Sequence, residues 1–451
     1  MPTVILPANG EARSVPDALP RRLGFWTTTA LVIGTIIGSG IFRVPAAVAA
    51  DAGSVTGIAL VWILGGVITL CGTLATAELA AAYPDTGGFF VYLREAYGPG
   101  AAFLYGWTML FLAPASTGAI ALVFAEYSST LVPLSPAGIR MVAAGSIVLV
   151  SITAYRSVVG AGAIQNVATL GKVAALAGLI LTAFLLGDGT QGAFGSGAAA
   201  ASSTKWSGLG VALVAALWAY NGFQDMICIA GEVRNPGVVL PRALMAGTAV
   251  VVAIYLSANA AYLYVLPYDS LLASPLAASD AMVRVIGAVG ATAVAAMVMV
   301  STFGTLNALV LTQPRVFFAM ARERLLFASL ASVHPRFGTP HVAIVWFTIG
   351  SLFGVWSRTF EQLAEAFVLG VWPFLAVAVA GVFLLRRRYP TLDRPYKTPG
   401  YPIVPLVFIA GTSWVVGSAL VARPVSTLGG MALTLLGIPV YLLWRRKRSS
   451  G

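Results

Sequence analysis

Two short stretches decide the fold: LVIGTIIGSGIF at residues 31–42 and WAYNGFQD at residues 218–225. Both lie inside long apolar runs, yet the first contains three glycines and the second an Asn-Gly pair. A glycine costs a helix about 1 kcal/mol relative to alanine, so such a cluster requires a reason. Two reasons are open at this point: close helix packing through the GxxxG spacing of Gly34 and Gly38, or an interruption of each helix.

The composition places both stretches in a membrane. Of 451 residues, 58% are hydrophobic and only 10% are charged, whereas a soluble domain carries roughly 25% charge. The composition therefore excludes a water-soluble globule and a disordered chain, and two cysteines exclude a disulfide scaffold. Each crossing of the bilayer needs about 20 apolar residues, so a chain of 451 residues with short connections has room for about twelve crossings.

The apolar runs between clusters of charge, glycine and proline predict an all-α polytopic membrane protein. Residues 1–24 form a tail without the apolar block of a signal peptide, 25–446 form a single membrane domain, and 447–451 form a second tail. Twelve spans are predicted, near residues 27–50, 56–80, 101–127, 138–155, 161–186, 208–230, 242–266, 288–319, 341–357, 362–385, 402–422 and 426–444.

The distribution of charge predicts the orientation of these spans. Of the 27 lysines and arginines, twenty fall on the side of the two termini, six fall on the opposite side, and Lys172 falls within the fifth span. The positive-inside rule therefore predicts that both termini are cytoplasmic. It also accounts for the net charge of +11 without a nucleic-acid partner.

The first and sixth spans occupy equivalent positions if two inverted repeats of five spans cover residues 25–187 and 208–386, followed by two further helices within 402–446. Interrupted helices at corresponding positions of two repeats are a sequence pointer to a transporter's binding site. This favours interruption over packing. Backbone N–H groups freed near Gly38 suit a carboxylate, because the helix dipole is positive there, and freed carbonyls suit an ammonium. A zwitterionic amino acid satisfies both.

The chain resembles the amino acid-polyamine-organocation (APC) superfamily, and within it bacterial relatives of the L-type amino acid transporters. The segments that carry the resemblance are GTIIGSGIF (34–42), AELAAAYPDTGGFFVYLREAYGPGAAFLYGW (77–107), IQNVATLGKVAAL (164–176), YNGFQDMICIAGEVRNP (220–236), STFGTLNALVLTQPRVFFAMARERLLFASLASVHPRFGTP (301–340) and RPYKTPGYPIVP (394–405). The resemblance implies the LeuT-type fold, with helices one and six broken, and transport by alternating access.

The resemblance also implies a set of substrate-binding residues. Those expected to donate backbone N–H groups to the substrate carboxylate, near Gly38, are Ser39, Gly40 and Ile41. Those expected to offer carbonyls to its amino group are Ile37, Trp218, Ala219 and Asn221. Phe223 matches an aromatic position of the family, and the residues around it are expected to select the side chain.

Lys172 is an ionisable group deep within a span, where a charge costs at least about 2.5 kcal/mol. In lysine-bearing members of the family, the equivalent side chain occupies the place of a sodium ion and bridges spans one and eight. The resemblance here implies contacts with the Gly38 carbonyl and with the hydroxyl of Ser301 or Thr302. Two roles stay open for Lys172: replacing sodium, and exchanging a proton during transport.

Two other charged residues admit two interpretations each. Asp225 either stabilises the start of the inner half-helix of span six or takes part in substrate or proton coupling. Arg43 either attracts anions in an outer vestibule or faces headgroup water, and the second is favoured because arginine readily snorkels.

These observations predict sodium-independent transport of amino acids, most simply neutral L-amino acids, by an exchanger or a proton-coupled symporter of the inner membrane. A transporter of polyamines or other organocations is the alternative. A membrane enzyme acting on lipid is disfavoured, because it would need a catalytic histidine or a pair of acidic residues near the interface, and no histidine lies in the middle of a span. No cofactor, metal or partner subunit is expected. The predicted partners are the amino acid, protons and the lipid bilayer.

Overall fold

The computed structural model describes residues 19–192, 206–274, 276–357 and 360–449. Its helices are α1 (Phe25–Ile36), α2 (Gly40–Arg43), α3 (Pro45–Ala52), α4 (Val55–Ala82), α5 (Phe89–Tyr97), α6 (Pro99–Leu131), α7 (Pro136–Arg156), α8 (Val158–Leu186), α9 (Trp206–Ala219), α10 (Phe223–Ile227), α11 (Pro236–Val265), α12 (Tyr268–Ala273), α13 (Ala277–Ile286), α14 (Ala288–Thr312), α15 (Pro314–Arg322), α16 (His341–Ser357), α17 (Phe360–Arg388), α18 (Ile403–Ala422) and α19 (Pro424–Ser449).

Ten helical segments of the described residues are long and apolar enough to cross a membrane, and Gly208–Ala219 and His341–Trp356 are two shorter apolar helices. The prediction of an all-α polytopic protein with about twelve spans is therefore confirmed. Many long apolar side chains on the outer helices are exposed, among them Val167, Leu170 and Phe353. A helix surface of this kind suits lipid rather than water.

Serine caps set several of the helix starts. Ser54, Ser135 and Ser157 each accept a hydrogen bond from the backbone N–H three residues later, at 3.0, 3.1 and 2.9 Å. Such a cap satisfies one of the N–H groups that a helix leaves without a partner at its start.

Several predicted boundaries differ from the structure, because an apolar run that was predicted as one span forms two or three helices. The first span contains α1, α2 and α3, and the eighth divides into α14 and α15 at Gln313, before Pro314. Proline cannot donate the helical hydrogen bond, which explains the second division. Arg315 lies within α15.

The connections between spans are described in part. The connection 267–287 holds the two short helices α12 and α13. In the tract 187–207, residues 193–205 lie outside the described residues, as do 1–18 of the first tail and 450–451 of the last. The end of the first tail packs against the protein, since Leu23 is buried and its N–H donates to the Glu232 carbonyl at 3.0 Å.

Candidate substrate site

The first break lies between α1 and α2, where Ile37, Gly38 and Ser39 leave the helix. The Gly38 N–H donates to the Ile36 carbonyl at 2.9 Å. A continuous helix would instead direct this N–H to the Gly34 carbonyl. The break therefore frees the Gly34 carbonyl for a partner outside the helix.

The second break lies between α9 and α10, at residues 220–222, and the two breaks touch. Gly222 has a φ of +130°, and its carbonyl accepts a hydrogen bond from the Thr35 hydroxyl at 3.0 Å. A Cβ at Gly222 would lie 2.6 Å from the Thr35 carbonyl carbon, and one at Gly40 would lie 2.5 Å from the Ala219 Cα. Only glycine permits both this φ and this approach.

Side chains hold the two breaks in register. The hydroxyl of Tyr255, from α11, lies 2.9 Å from the Ile36 carbonyl and 3.0 Å from the Ala219 carbonyl. Gln224 donates to the Asn221 side-chain oxygen at 2.7 Å and accepts from the Gly222 N–H at 3.1 Å. The irregular backbone is therefore satisfied internally, as membrane depth requires.

A cavity of about 30 Å³ lies where the breaks meet. A volume of this size holds about two waters, so an amino acid enters only after the surrounding spans move. Within the described part of the chain, the buried Ser39 hydroxyl has no hydrogen-bond partner. The lining residues are Thr35, Ile36, Gly38, Ser39, Gly40, Ser116, Ile120, Trp218, Asn221, Asp225, Thr305, Leu309, Gln313 and Phe367.

The remaining substrate-site predictions lie outside this lining: Ile37, Ile41, Ala219 and Phe223. The Ala219 carbonyl faces Tyr255. The Phe223 ring packs against Trp372 and Phe408, with centroids 6.4 and 6.5 Å away. The aromatic rings at the cavity are Trp218 and Phe367 instead, and their centroids lie 5.8 Å apart.

The ammonium of Lys172 is fully buried and meets three acceptors. It donates to the carbonyls of Gly34 at 3.0 Å and Ile37 at 2.6 Å, and to the Thr305 hydroxyl at 3.1 Å. An ammonium has three N–H groups, so each has a partner. The side chain therefore ties α8 to the first break and to α14.

These partners differ from those implied by the resemblance, namely the Gly38 carbonyl and the hydroxyl of Ser301 or Thr302. The Ser301 hydroxyl instead lies 3.3 Å from the Gly38 carbonyl, and Thr302 donates to Val298 of its own helix at 2.7 Å. The difference follows from the position of the break. Because the helix ends at Ile36, the carbonyls of Gly34 and Ile37, rather than that of Gly38, face Lys172.

Beyond Trp218 lies a group of side chains that we name the Arg43 cluster: Arg43, Glu126, Phe360 and Glu361. Arg43 pairs with Glu126 at 2.8 Å and with Glu361 at 3.0 Å, and its guanidinium lies 5.5 Å from the Phe360 ring centroid. The Phe360 ring lies in turn 5.8 Å from Trp218. The charge of Arg43 is therefore paired within the protein, a contact that neither interpretation from the sequence included.

A second ion pair connects α15 to the segment that follows α10. The buried side chains of Arg315 and Glu232 pair there at 3.0 Å. The backbone carbonyl of Glu232 accepts from the N–H groups of Arg22 and Leu23 at 2.8 and 3.0 Å.

Sequence reasoning missed four polar residues of the cavity: Thr35, Ser116, Thr305 and Gln313. Thr305 follows Ser301 by one helical turn and therefore lies on the same face. Gln313 immediately precedes Pro314 within an apolar run. A polar residue next to a proline in an apolar run was the sequence feature that could have pointed to Gln313.

Comparison with known proteins places this arrangement in a family. The amino acid permease family model matches residues 23–441. The chain belongs to this family, within the APC superfamily. Among amino acid permeases, it is 34% identical over 438 residues to the serine/threonine exchanger SteT of Bacillus subtilis (strain 168), which covers 96% of this chain and 99% of that protein.

Two human transporters are similar over nearly the whole chain. The large neutral amino acids transporter small subunit 2 is 31% identical, over 98% of this chain and 85% of its own length. The cystine/glutamate transporter is 30% identical, over 95% of this chain and 87% of its own length. These relatives are transporters, and this permease is likewise a multi-pass membrane protein.

Proposed function

We propose that this permease carries neutral L-amino acids across the cytoplasmic membrane by alternating access, without sodium, either by exchange or together with protons. The observation that carries the proposal is the contact of two broken helices around a small cavity with polar and apolar side chains in its lining. The family and the relatives named above support an amino acid as the substrate.

The substrate carboxylate would bind at the start of α2, to the backbone N–H groups of Ser39, Gly40 and Ile41. The Ser39 hydroxyl is a further donor, since it is buried without a partner in the described structure. A carboxylate is favoured at this place by the orphan N–H groups and the dipole of the half-helix.

The substrate ammonium would bind at the second break, near Trp218 and Asn221, both of which line the cavity. The Trp218 carbonyl already accepts from the Asn221 N–H at 3.2 Å, but a carbonyl has two lone pairs and can accept again. The Ile37 carbonyl is a poorer candidate than the sequence suggested, because it lies 2.6 Å from the Lys172 ammonium.

Lys172 would replace the sodium ion of sodium-coupled relatives of the fold. Its three oxygen partners come from an unwound helix and a neighbouring hydroxyl, and unwound carbonyls are the usual ligands of sodium in such transporters. A permanently tethered ammonium would hold the first break in its binding geometry, so no sodium is needed.

The sidedness and the repeats are part of the proposal. We place both termini in the cytoplasm on the distribution of charge, so the Arg43 cluster would close the outer path and the Arg315–Glu232 pair the inner one. Residues 25–187 and 208–386 would form the two repeats of one transport domain. We assign no enzymatic reaction and no partner subunit.

Uptake into proteoliposomes tests the proposal. Purified protein would be assayed with a panel of radiolabelled amino acids, with sodium replaced by choline, with and without unlabelled amino acid inside, and with and without a pH gradient. We expect uptake that is indifferent to sodium. Acceleration by internal amino acid indicates exchange, and acceleration by an inward proton gradient indicates symport. The proposal is contradicted if uptake requires sodium, or if no amino acid of the panel is taken up.

A further inference from the structure

One side of the cavity is formed by an acidic and an amide side chain from different spans. Asp225 lies in α10, and Gln313 lies between α14 and α15. Both side chains line the cavity and are 1% and 2% exposed. The Gln313 amide donates to a carboxyl oxygen of Asp225. Two distant parts of the chain thus form one polar pair facing the same space.

This pair has more acceptor capacity than it uses internally. The side-chain oxygen of Gln313 is buried and has no hydrogen-bond partner among the described residues. A carboxyl group has two oxygens, and the contact with Gln313 engages one of them. Buried polar atoms are nearly always paired, and an exception calls for an explanation. A hydrogen-bond donor on the transported molecule would supply the missing partner.

The position of the pair assigns it to the substrate side chain. Asp225 follows Gly222 by three residues, which is a rise of about 4.5 Å along a helix. The two breaks would already hold the carboxylate and the ammonium, so the pair faces what remains of the amino acid. Apolar Ile120 and Leu309 also line this space and suit a methyl or methylene group. The short distance of about 4.5 Å between the second break and Asp225 suits a short side chain.

We propose that Asp225 and Gln313 form the side-chain subsite of this permease and select amino acids with a short, hydroxyl-bearing side chain. The inference rests on the proposed function, whose backbone site it extends. A hydroxyl donates one hydrogen bond and fits beside the apolar residues. A site built to hydrogen-bond a hydroxyl discriminates strongly against an analogue that lacks it, because its buried acceptors are then left without partners.

A series of three nearly isosteric amino acids, together with the shorter L-alanine, tests this subsite. Inhibition of radiolabelled L-alanine exchange in proteoliposomes would be measured with L-serine, L-2-aminobutyrate, L-2,3-diaminopropionate and L-alanine. The first three differ only in a hydroxyl, methyl or ammonium at the same position. We expect wild-type protein to bind serine at least about tenfold more tightly than 2-aminobutyrate.

Variants identify the residues responsible. The serine preference is the ratio of the affinity for serine to that for 2-aminobutyrate. In Asp225→Ala and Gln313→Met we expect this ratio to fall to about three or less. Asp225→Asn keeps an acceptor oxygen and should retain most of the preference. Asp269→Asn, an exposed aspartate on α12, is the matched control and leaves the preference unchanged. The wild-type series needs no variant, so a variant that fails to fold does not remove the test.

Three results overturn the inference. Equal inhibition by serine and 2-aminobutyrate in wild type excludes hydroxyl selection. Strongest inhibition by diaminopropionate, lost in Asp225→Asn, indicates a subsite for cationic side chains. An unchanged serine preference in Asp225→Ala, with an altered pH profile of exchange, indicates a proton-carrying role. In each case alanine is still transported, whereas failure of the proposed function would leave no amino acid transported, either by exchange or together with protons.

Discussion

The substitution Lys172→Met tests how far the first break depends on a buried ammonium. Methionine keeps the length of an unbranched side chain but removes all three donors, so the carbonyls of Gly34 and Ile37 and the Thr305 hydroxyl lose a partner. A buried acceptor left without a partner costs about 1–3 kcal/mol.

The size of the effect follows from these contacts. If water or rotation of side chains satisfies two of the three oxygens, one unsatisfied oxygen remains, at about 1–3 kcal/mol. Since the break must keep its geometry to bind substrate, we expect the apparent affinity for the amino acid to fall by about 5- to 150-fold. The assay is the KM of exchange in sodium-free proteoliposomes.

The control is Leu170→Met, because Leu170 lies on the same helix and is 72% exposed. It should leave the KM unchanged. Added sodium should partly restore exchange in Lys172→Ala, since the vacated oxygens are of the kind that coordinate sodium in transporters. Exchange by Lys172→Met with the wild-type KM would refute the role given to the ammonium.

Three further substitutions probe the breaks and the closure of the cavity. Gly222→Ala adds a Cβ to a residue with a φ of +130° and brings this atom against Thr35. We expect this variant to reach the membrane but to show no exchange. The control is Gly178→Ala, which has open space around the added Cβ and should keep its exchange activity. Tyr255→Phe removes a hydroxyl shared by both breaks and should slow exchange about 5- to 10-fold, measured as the initial rate; an unchanged rate contradicts this. Arg43→Ala removes two partly exposed ion pairs. To measure its effect, a cysteine would be placed at Ile120 and labelled with an impermeant maleimide, and we expect the labelling rate to rise by up to about tenfold. An unaltered labelling rate contradicts the closing role of Arg43.

The two breaks could be predicted because their cause is local. Glycines near residue 38 and the Asn-Gly pair at 221–222 stand in apolar runs that otherwise favour helix. The cost of glycine in a helix is a property of the residue itself, and no tertiary information is needed to notice it. The burial of Lys172 was visible for the same reason, since it stands alone within a span.

The partners of these residues could not be predicted, because they come from distant parts of the chain. Arg43 pairs with residues 83 and 318 positions away in sequence, and a sequence pattern does not indicate such contacts. Phe223 illustrates a second limit. Which way a side chain points from a five-residue helix depends on the path of the chain at the break, so its packing against Trp372 was not foreseeable.

The most direct test of the account is whether both charged ends of the substrate are required at the two breaks. Inhibition of radiolabelled L-alanine exchange would be measured with ethylamine, which lacks the carboxylate, and with propionate, which lacks the ammonium. The account predicts that neither compound competes at a roughly hundredfold excess over alanine, because each leaves one break without its charged partner. Competition by either compound as strong as that of alanine would contradict it.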